Sequence, residues 1–280
     1  MTDAEEYFTG CLQNQLRVNP RMSPAQYTDV AAIQVCLYVH GFTRYCQAMR
    51  IAELTGGPAV DTIYQEILEP CFLPTELSSI ETVRYLAEAG CGLVWAAFDE
   101  QGNVLGCAVG EWDEGSRIML LAWIAIRPGL RGGGIGGALL DAAQAEWLAR
   151  YRPCLVLAEV EDPARHAGSE ALGNPAARLR FYLRRGARIL DLPYFQAGLG
   201  PGQPRVPDLL LMVLHADEQF AGPKPDTIDG DVLRKYLELY QRQCEGQVAT
   251  DEQAERLWRA IDRPGGVPLL LTTPEGPPVP

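Results

Sequence analysis

Runs of apolar residues in the middle of the chain predict buried β-strands. Leu93 to Phe98 and Val104 to Trp112 are two such runs, and the segment 99–103 between them, Asp-Glu-Gln-Gly-Asn, is typical of a hairpin turn. The next run, Ile118 to Ile126, is almost wholly apolar, as in a strand that is covered on both faces. Three consecutive strands are therefore expected, the first two joined by a hairpin.

Helical and strand patterns alternate on both sides of these three strands. They predict a strand at Met49 to Leu54, helices at Val60 to Leu68, Pro74 to Ala89 and Gly136 to Arg150, a strand at Cys154 to Glu161, a helix from Asn174-Pro175 to near Gly186, and closing strands at Ile189 to Leu192 and Leu209 to Leu214. This alternation predicts a mixed α/β fold with a central mixed sheet and helices on both faces.

The two ends of the chain differ from this alternating core. Residues 1–46 have apolar clusters at helical spacing and are interpreted as a helical N-terminal extension. The core spans 47–216, a helical C-terminal extension covers 217–262, and a tail rich in Pro and Gly covers 263–280. The apolar N-terminal helices are expected either to pack on the core or to form a homodimer contact.

Composition and charge narrow the choice of partners. With 47% hydrophobic residues the chain can bury a substantial core, and its net charge of -12 argues against nucleic acid as the main partner. Residues 150–188 differ, with eight arginines against four acidic residues. This basic segment suits either a phosphorylated cofactor or a solvated helix, while the remaining acidic charge favours a cationic substrate.

The termini, cysteines and histidines point to a cytoplasmic protein without a metal. The first residues, MTDAEEYF, do not have the pattern of a secretory signal, and no apolar run reaches the roughly 20 residues that cross a bilayer. Eight cysteines are scattered without a CxxC pair, and three histidines stand far apart. We expect reduced thiols, no membrane partner and no metal site.

A glycine-rich turn follows the third strand and leads into a helix, an arrangement that suits an anion. A tight connection without a ligand is the alternative. A P-loop is excluded because no Gly-Lys-Ser/Thr follows. Gly132, Gly134 and Gly137 satisfy the dinucleotide pattern GxGxxG, with Glu159 at about the distance of the ribose-binding acid. That fingerprint usually lies in the first βαβ unit, whereas here three strands come first.

Two motifs resemble those of one family. Arg131-x-x-Gly134-x-Gly136, directly after an apolar strand, resembles the (Q/R)xxGx(G/A) signature of the GNAT superfamily of N-acetyltransferases. The segment from Asn174 to Gly186 resembles the family's NxxAxxFYxxxGF helix, although Ala187 stands where an aromatic residue is frequent. The resemblance covers roughly residues 47–216, and it implies acetyl-CoA as the acyl donor.

The resemblance also implies which residues hold the cofactor. Backbone groups of the strand before the turn would bind pantetheine, the turn would bind the diphosphate, and the later helix would contact the cofactor arm. The residues concerned are Ile124, Ala125 and Ile126, then Arg131, Gly132, Gly133, Gly134, Ile135, Gly136 and Gly137, and finally Asn174 and Phe181. The amide near Ile124 would polarise the thioester carbonyl.

Acetyl transfer to an amine needs a proton donor for the thiolate and a base for the amine. By resemblance Tyr182 is the donor, the alternative being a core aromatic residue. Glu159 shares one strand face with Leu155 and Leu157, and it is the first choice of base. Glu111 is the second choice, and either glutamate could instead bind a cationic substrate or face solvent.

The substrate pocket is expected to use acidic and aromatic residues. Glu111 and Glu161 would bind the acceptor, and Tyr194 and Phe195 would form a wall, unless residues 194–207 are a surface loop packed by its own aromatics.

Three functions remain open at this point. The first is an acetyltransferase acting on a primary amine of a small molecule or protein through a tetrahedral intermediate. The second is a CoA-binding sensor or interaction module without turnover, and the third is a nicotinamide-dependent oxidoreductase.

Overall fold

The computed structural model describes residues 49–168, 173–200 and 202–270. The extension predicted for residues 1–46 lies outside these ranges. The chain divides into two compact units. Within the described residues, the first holds 49–68, Ser79–Val109 and Trp123–Glu146, and the second holds Glu69–Ser78, Gly110–Ala122 and the described part of the chain from Trp147 onward.

The secondary structure follows the predicted alternation. The chain begins with β1 (Arg50–Glu53), α1 (Pro58–Ile63), a π-helix (Tyr64–Leu68), a helical turn (Glu69–Cys71), α2 (Ile80–Glu88) and β2 (Val94–Phe98). It continues with β3 (Val104–Asp113), β4 (Ile118–Ile126), α3 (Ile135–Tyr151), β5 (Leu155–Glu161), α4 (Pro175–Leu183) and β6 (Arg188–Ile189). It closes with β7 (Tyr194–Gln196), β8 (Val206–Ala216), a 3-10 turn (Glu218–Phe220), β9 (Thr227–Ile228), α5 (Gly230–Glu245), α6 (Glu252–Ile261) and β10 (Val267–Pro268).

In the described part of the chain, eight strands form one mixed sheet in the order β1-β2-β3-β4-β5-β8-β6, with β7 also paired to β8. Strands β4 and β5 are parallel, and their ladder joins Ile118–Leu121 to Leu155–Ala158. No further pairing of these two strands occurs within the described residues, although β4 runs to Ile126 and β5 to Glu161. The sheet is therefore splayed, and the predicted α/β class is confirmed.

Alternate residues of β3 and β4 point to opposite faces of the sheet. On one face Gly110 lies against α3, since a Cβ added there would come within 2.6 Å of the Trp147 ring and 2.9 Å of the Met119 sulfur. On the other face Ile118 and Leu120 belong to a hydrophobic cluster with buried residues of β5, β8, α5 and α6. Helices thus pack on both faces.

Helices α5 and α6 belong to the core of the second unit. The buried residues of α5 recur at helical spacing, among them Leu233, Tyr236, Leu237 and Tyr240. Asp229 caps α5 by accepting a hydrogen bond from an amide of its first turn, and the helix ends at a left-handed glycine. The segment predicted as a C-terminal extension therefore shares one hydrophobic cluster with β5 and β8.

Several predicted boundaries differ from the structure for local reasons. The helix expected to Leu68 is α-helical only to Ile63 and then widens into the π-helix, shortly before Pro70, which has no amide hydrogen to donate. The strand expected at Ile189 to Leu192 is limited to Arg188–Ile189, and the Arg263 guanidinium holds the Asp191 carboxylate at 2.6 Å.

The alternative prediction, a surface loop at residues 194–207, is wrong for residues 194–196. Tyr194–Gln196 form the buried strand β7, which pairs with β8.

Within the described ranges, none of the helices combines the length and the apolar character that a membrane span requires.

The contact between Gly110 and Trp147 predicts that Gly110→Ala lowers the free energy of unfolding by about 1–3 kcal/mol, because the added methyl overpacks a tight site. Chemical denaturation measures this change. Gly115→Ala is the matched control, since its Cβ would lie 3.6 Å from its nearest neighbour, an ordinary contact. Equal stability of the two variants would contradict the packing described here.

Candidate active site

The turn between β4 and α3 exposes a row of backbone amides in the first unit. Gly132 and Gly134 have φ angles of 89° and 84°, which favour glycine over residues with a side chain. The amide of Ala138 donates to the Gly134 carbonyl at 3.1 Å, so helical bonding begins at Gly134. Among the described residues, no atom accepts a hydrogen bond from the amides of residues 132–137. These amides and the positive end of α3 can therefore bind an anion.

Arg127 fixes the start of this turn. Its Nε donates to the Val104 carbonyl at 2.7 Å, and its Nη1 lies 2.6 Å from the Glu66 carboxylate. Its amide also donates to the carbonyl of Leu105 at 2.9 Å. The Arg127 guanidinium is thus engaged by groups of the protein itself, whereas the backbone amides of the turn are open to an anion.

The strand that leads into the turn is partly accessible. Ile124 and Ile126 are half-buried, whereas Ala125 is buried. Their predicted contact with pantetheine remains a prediction.

Helix α4 in the second unit places the predicted cap and phenol. The Asn174 side chain accepts from the Ala177 amide at 3.2 Å, and Pro175 follows at the first helical position. Phe181 lies edge-to-face with Tyr182 at a centroid distance of 5.1 Å. Tyr182 is 3% exposed, and burial raises its pKa to about 12, opposed by the charge of Arg178. Among the described residues its hydroxyl has no hydrogen-bond partner, so it can donate to a ligand.

A carboxylate and a phenol meet at the end of β5. The Tyr194 hydroxyl donates to Oε1 of Glu159 at 2.5 Å. Glu159 is half-buried, and desolvation raises its pKa to about 7 although the hydrogen bond from Tyr194 lowers it. The charges of Glu111 and Glu76 raise it further. A carboxylate with this pKa is available as a base near neutral pH.

Glu111 is a second carboxylate with a raised pKa. Desolvation alone raises its pKa to about 7. Among the described residues, no cation or hydrogen-bond donor contacts its carboxylate. Glu76 also has a raised pKa, mainly through desolvation, and the Leu73 amide donates to it at 3.1 Å. The structure thus brings Glu111, Glu159 and Tyr194 into one electrostatic neighbourhood.

Glu161 and Phe195 differ from Glu111 and Glu159 because each lies next to an arginine. Glu161 is buried, and its carboxylate lies 2.8 Å from the Arg178 guanidinium. Phe195 is 2% exposed, with the Arg205 guanidinium 4.6 Å from its ring centre. Arg205 in turn pairs with Glu245 at 2.7 Å. Glu161 thus has a cationic partner, whereas Glu111 and Glu159 have none among the described residues, and the acceptor contacts expected of Glu161 and Phe195 remain predictions.

Tyr236 and Tyr240 of α5 were not predicted from the sequence as site residues. Both are buried, and the charge of Glu159 raises the pKa of each further above its usual value, after the larger effect of burial. Their spacing on an amphipathic helix was the available signal, but it indicates only that they face the core.

The sequence analysis also missed a cluster of Cys154, His215 and Asp217, whose potential ligand atoms lie within 4.8 Å of one another. Antiparallel pairing of β5 with β8 brings them together. Asp217 already accepts from the Arg152 guanidinium at 2.8 Å and from the Cys154 amide at 2.8 Å. Burial raises the pKa of the Cys154 thiol to about 11. The carboxylate of this cluster is therefore committed to an ion pair.

Comparison with known proteins supports one family. Residues 90–186 match the family model described as an acetyltransferase (GNAT) domain. No curated protein sequence matches the chain.

Three solved structures are among those that the chain resembles. A protein assigned to the GNAT acetyltransferase family from Bacteroides thetaiotaomicron is 20% identical, with a TM-score of 0.46 over 69% of this chain and 98% of that one. Diaminobutyrate acetyltransferase EctA from Paenibacillus lautus, solved with its substrate and coenzyme A, is 16% identical, with a TM-score of 0.44 over 61% and 98%. The protein yncA from Salmonella typhimurium, solved with its cofactor acetyl-CoA, is 22% identical, with a TM-score of 0.44 over 64% and 98%. Similarities this distant assign no substrate.

The raised pKa of Glu111 predicts a pH-dependent cost of burying its charge. Between its usual value of 4.5 and about 7, the folded chain binds more protons than the unfolded chain, so stability falls as pH rises through this window. Relative to the natural chain, Glu111→Gln should gain about 3 kcal/mol of unfolding free energy between pH 4 and pH 8. Urea denaturation at both pH values measures the gain.

The exposed Glu114→Gln controls for the general loss of one carboxylate. A stability difference for Glu111→Gln that stays constant between the two pH values would contradict the raised pKa.

Proposed function

We propose, from the match of residues 90–186 to the GNAT acetyltransferase family model, that the chain transfers an acetyl group from acetyl-CoA to a primary amine of a small molecule or protein. The reaction is direct attack of the amine on the thioester, through a tetrahedral intermediate. The observation that carries the proposal is the Glu159 carboxylate, half-buried, bonded to Tyr194 and with a pKa raised to about 7. Such a group can take a proton from an ammonium ion at neutral pH.

The glycine-rich turn is the proposed site for the diphosphate of coenzyme A. The amides of residues 132–137 have no partner among the described residues, and they begin α3, where the helix dipole favours negative charge. Arg131 is exposed in the same turn. Backbone groups of residues 124–126 are proposed to bind the pantetheine. When bound, acetyl-CoA supplies an activated thioester.

Glu159 is the proposed general base. Its strand holds it on an apolar face, and Tyr194 fixes one of its oxygens at 2.5 Å. The second oxygen remains available for the acceptor nitrogen or for a bridging water. Glu111 is the second candidate for this role, and in the present proposal it binds the acceptor.

Tyr182 is the proposed proton donor to the leaving thiolate. Its pKa of about 12 keeps the phenol protonated at neutral pH, and its hydroxyl has no partner among the described residues. A neutral donor of this kind suits a thiolate, which is formed only as the carbon–sulfur bond breaks.

Substitutions of Tyr182 and Glu159 distinguish an active enzyme from a CoA-binding module without turnover. Tyr182→Phe and Glu159→Gln should each lower kcat roughly 10²- to 10⁴-fold, the usual contribution of one general acid or base. In the natural chain kcat/KM should rise with pH to a plateau above about 7, and Glu159→Gln should lose this rise. Release of free thiol from acetyl-CoA with a panel of amines measures both effects.

Glu100→Gln, an exposed change in the hairpin between β2 and β3, is the control. A module without turnover would release no thiol with any amine while still binding coenzyme A.

The substitution Gly134→Ala tests whether the glycine-rich turn binds coenzyme A. A side chain at φ 84° costs roughly 1–2 kcal/mol, so the amides should lose their alignment and coenzyme A should bind about ten-fold more weakly. Calorimetric titration with coenzyme A measures the affinity. Gly133→Ala is the matched control, because Gly133 does not have a positive φ and its Cβ would be 3.8 Å from the nearest atom. Binding of NAD in place of coenzyme A would instead support an oxidoreductase.

A further inference from the structure

Helix α5 contributes two tyrosines to the neighbourhood of the acidic pair Glu111 and Glu159. We propose that Tyr236 and Tyr240 complete the acceptor site, and that this site binds an amine carrying a second positively charged group. The inference rests on the proposed function for the role of Glu159. It adds residues outside the matched segment 90–186 and a chemical class of acceptor.

The alternation of the strands places both carboxylates on the face that α5 covers. Gly110 faces Trp147 of α3, so the neighbouring Glu111 points to the opposite face. Leu155 and Leu157 of β5 belong to the cluster that contains buried residues of α5, and Glu159 follows them at the same alternation. Glu111 and Glu159 therefore project from the sheet face on which α5 packs.

The two tyrosines have hydroxyl groups without a protein partner. Tyr236 and Tyr240 are 7% and 8% exposed, and their rings are nearly parallel with centroids 6.1 Å apart. Among the described residues neither hydroxyl makes a hydrogen bond. Neither hydroxyl oxygen is among the fully buried unpartnered atoms of the described residues, so both oxygens are accessible and can bond a polar ligand.

The negative charges of Glu111 and Glu159 indicate which class of ligand this site binds. Glu161, the one carboxylate that is buried among the described residues, has the Arg178 guanidinium at 2.8 Å. Glu111 has no cationic partner among the described residues, and Tyr194 is the one hydrogen-bond donor to Glu159 there. The charge of Glu111 also raises the pKa of Glu159. Two desolvated carboxylates are stabilised by two cationic groups, and one ammonium leaves the second carboxylate unpaired.

Glu159 and Glu111 are assigned different roles because Glu159 is bonded to Tyr194 and Glu111 is not. Glu159, oriented by Tyr194, takes the proton of the reacting nitrogen, which then forms the new carbon–nitrogen bond as the carbon–sulfur bond breaks. Glu111 holds the distal ammonium, which keeps its proton. The phenol oxygens of Tyr236 and Tyr240 accept hydrogen bonds from the bound ammonium groups, and their rings favour a cation.

Calorimetric titration of the full chain with 1,4-diaminobutane and with n-butylamine tests this inference without depending on turnover. The natural chain should bind the diamine roughly ten-fold more tightly, as expected for one additional partly buried, charge-assisted contact. Glu111→Gln should reduce this ratio to about one, and Tyr236→Phe with Tyr240→Phe should lower diamine affinity several-fold. The exposed Glu114→Gln should keep the natural ratio.

Thermal unfolding of each variant checks that it is folded, and Tyr to Phe retains the buried ring. Equal affinity of the natural chain for the two amines, or a ratio that survives Glu111→Gln, would overturn the inference. Diamine preference without thiol release from acetyl-CoA would support the inference and contradict the proposed function. Thiol release at equal kcat/KM with both amines would support the proposed function and contradict the inference.

Discussion

The desolvation of two carboxylates on an apolar sheet face is the constraint on which the proposed chemistry depends. Glu111 and Glu159 are half-buried without a cation beside them in the described residues, and the pKa of each rises to about 7. In water these groups would be ionised and too weakly basic to deprotonate an ammonium ion effectively near neutral pH. The cost of their burial is therefore connected directly to their use as a base and as a cation-binding group.

The fold creates this environment by simple alternation along strands. The face that carries Gly110 is filled by Trp147, which leaves the opposite face to α5 and to the carboxylates. The parallel ladder between β4 and β5 ends at Leu121 and Ala158, one residue before Glu159. The same strand thus contributes apolar residues to the core at its start and a reactive group at its end, which is a common way to hold a side chain rigidly.

Local patterns could be predicted from the sequence, and long-range placement could not. The turn glycines, the Asn174 cap and the shared face of Leu157 and Glu159 depend on residues close in the chain. The contribution of Tyr236 depends on how α5 packs on the sheet, which no local pattern encodes. The same holds for Tyr194, expected to lie either in a pocket wall or in a surface loop, and for the proximity of Cys154 to His215, which strand pairing alone creates.

The most direct measurement of the central claim is a carbon-13 NMR titration of the side-chain carboxyl groups in chain labelled at glutamate. Signals that disappear in Glu111→Gln and in Glu159→Gln identify the two groups. Midpoints near pH 7 for both signals are predicted, in agreement with desolvation on the sheet face. Midpoints near the usual value of 4.5 would show that both carboxylates are well hydrated, and would contradict the account of base and acceptor site given above.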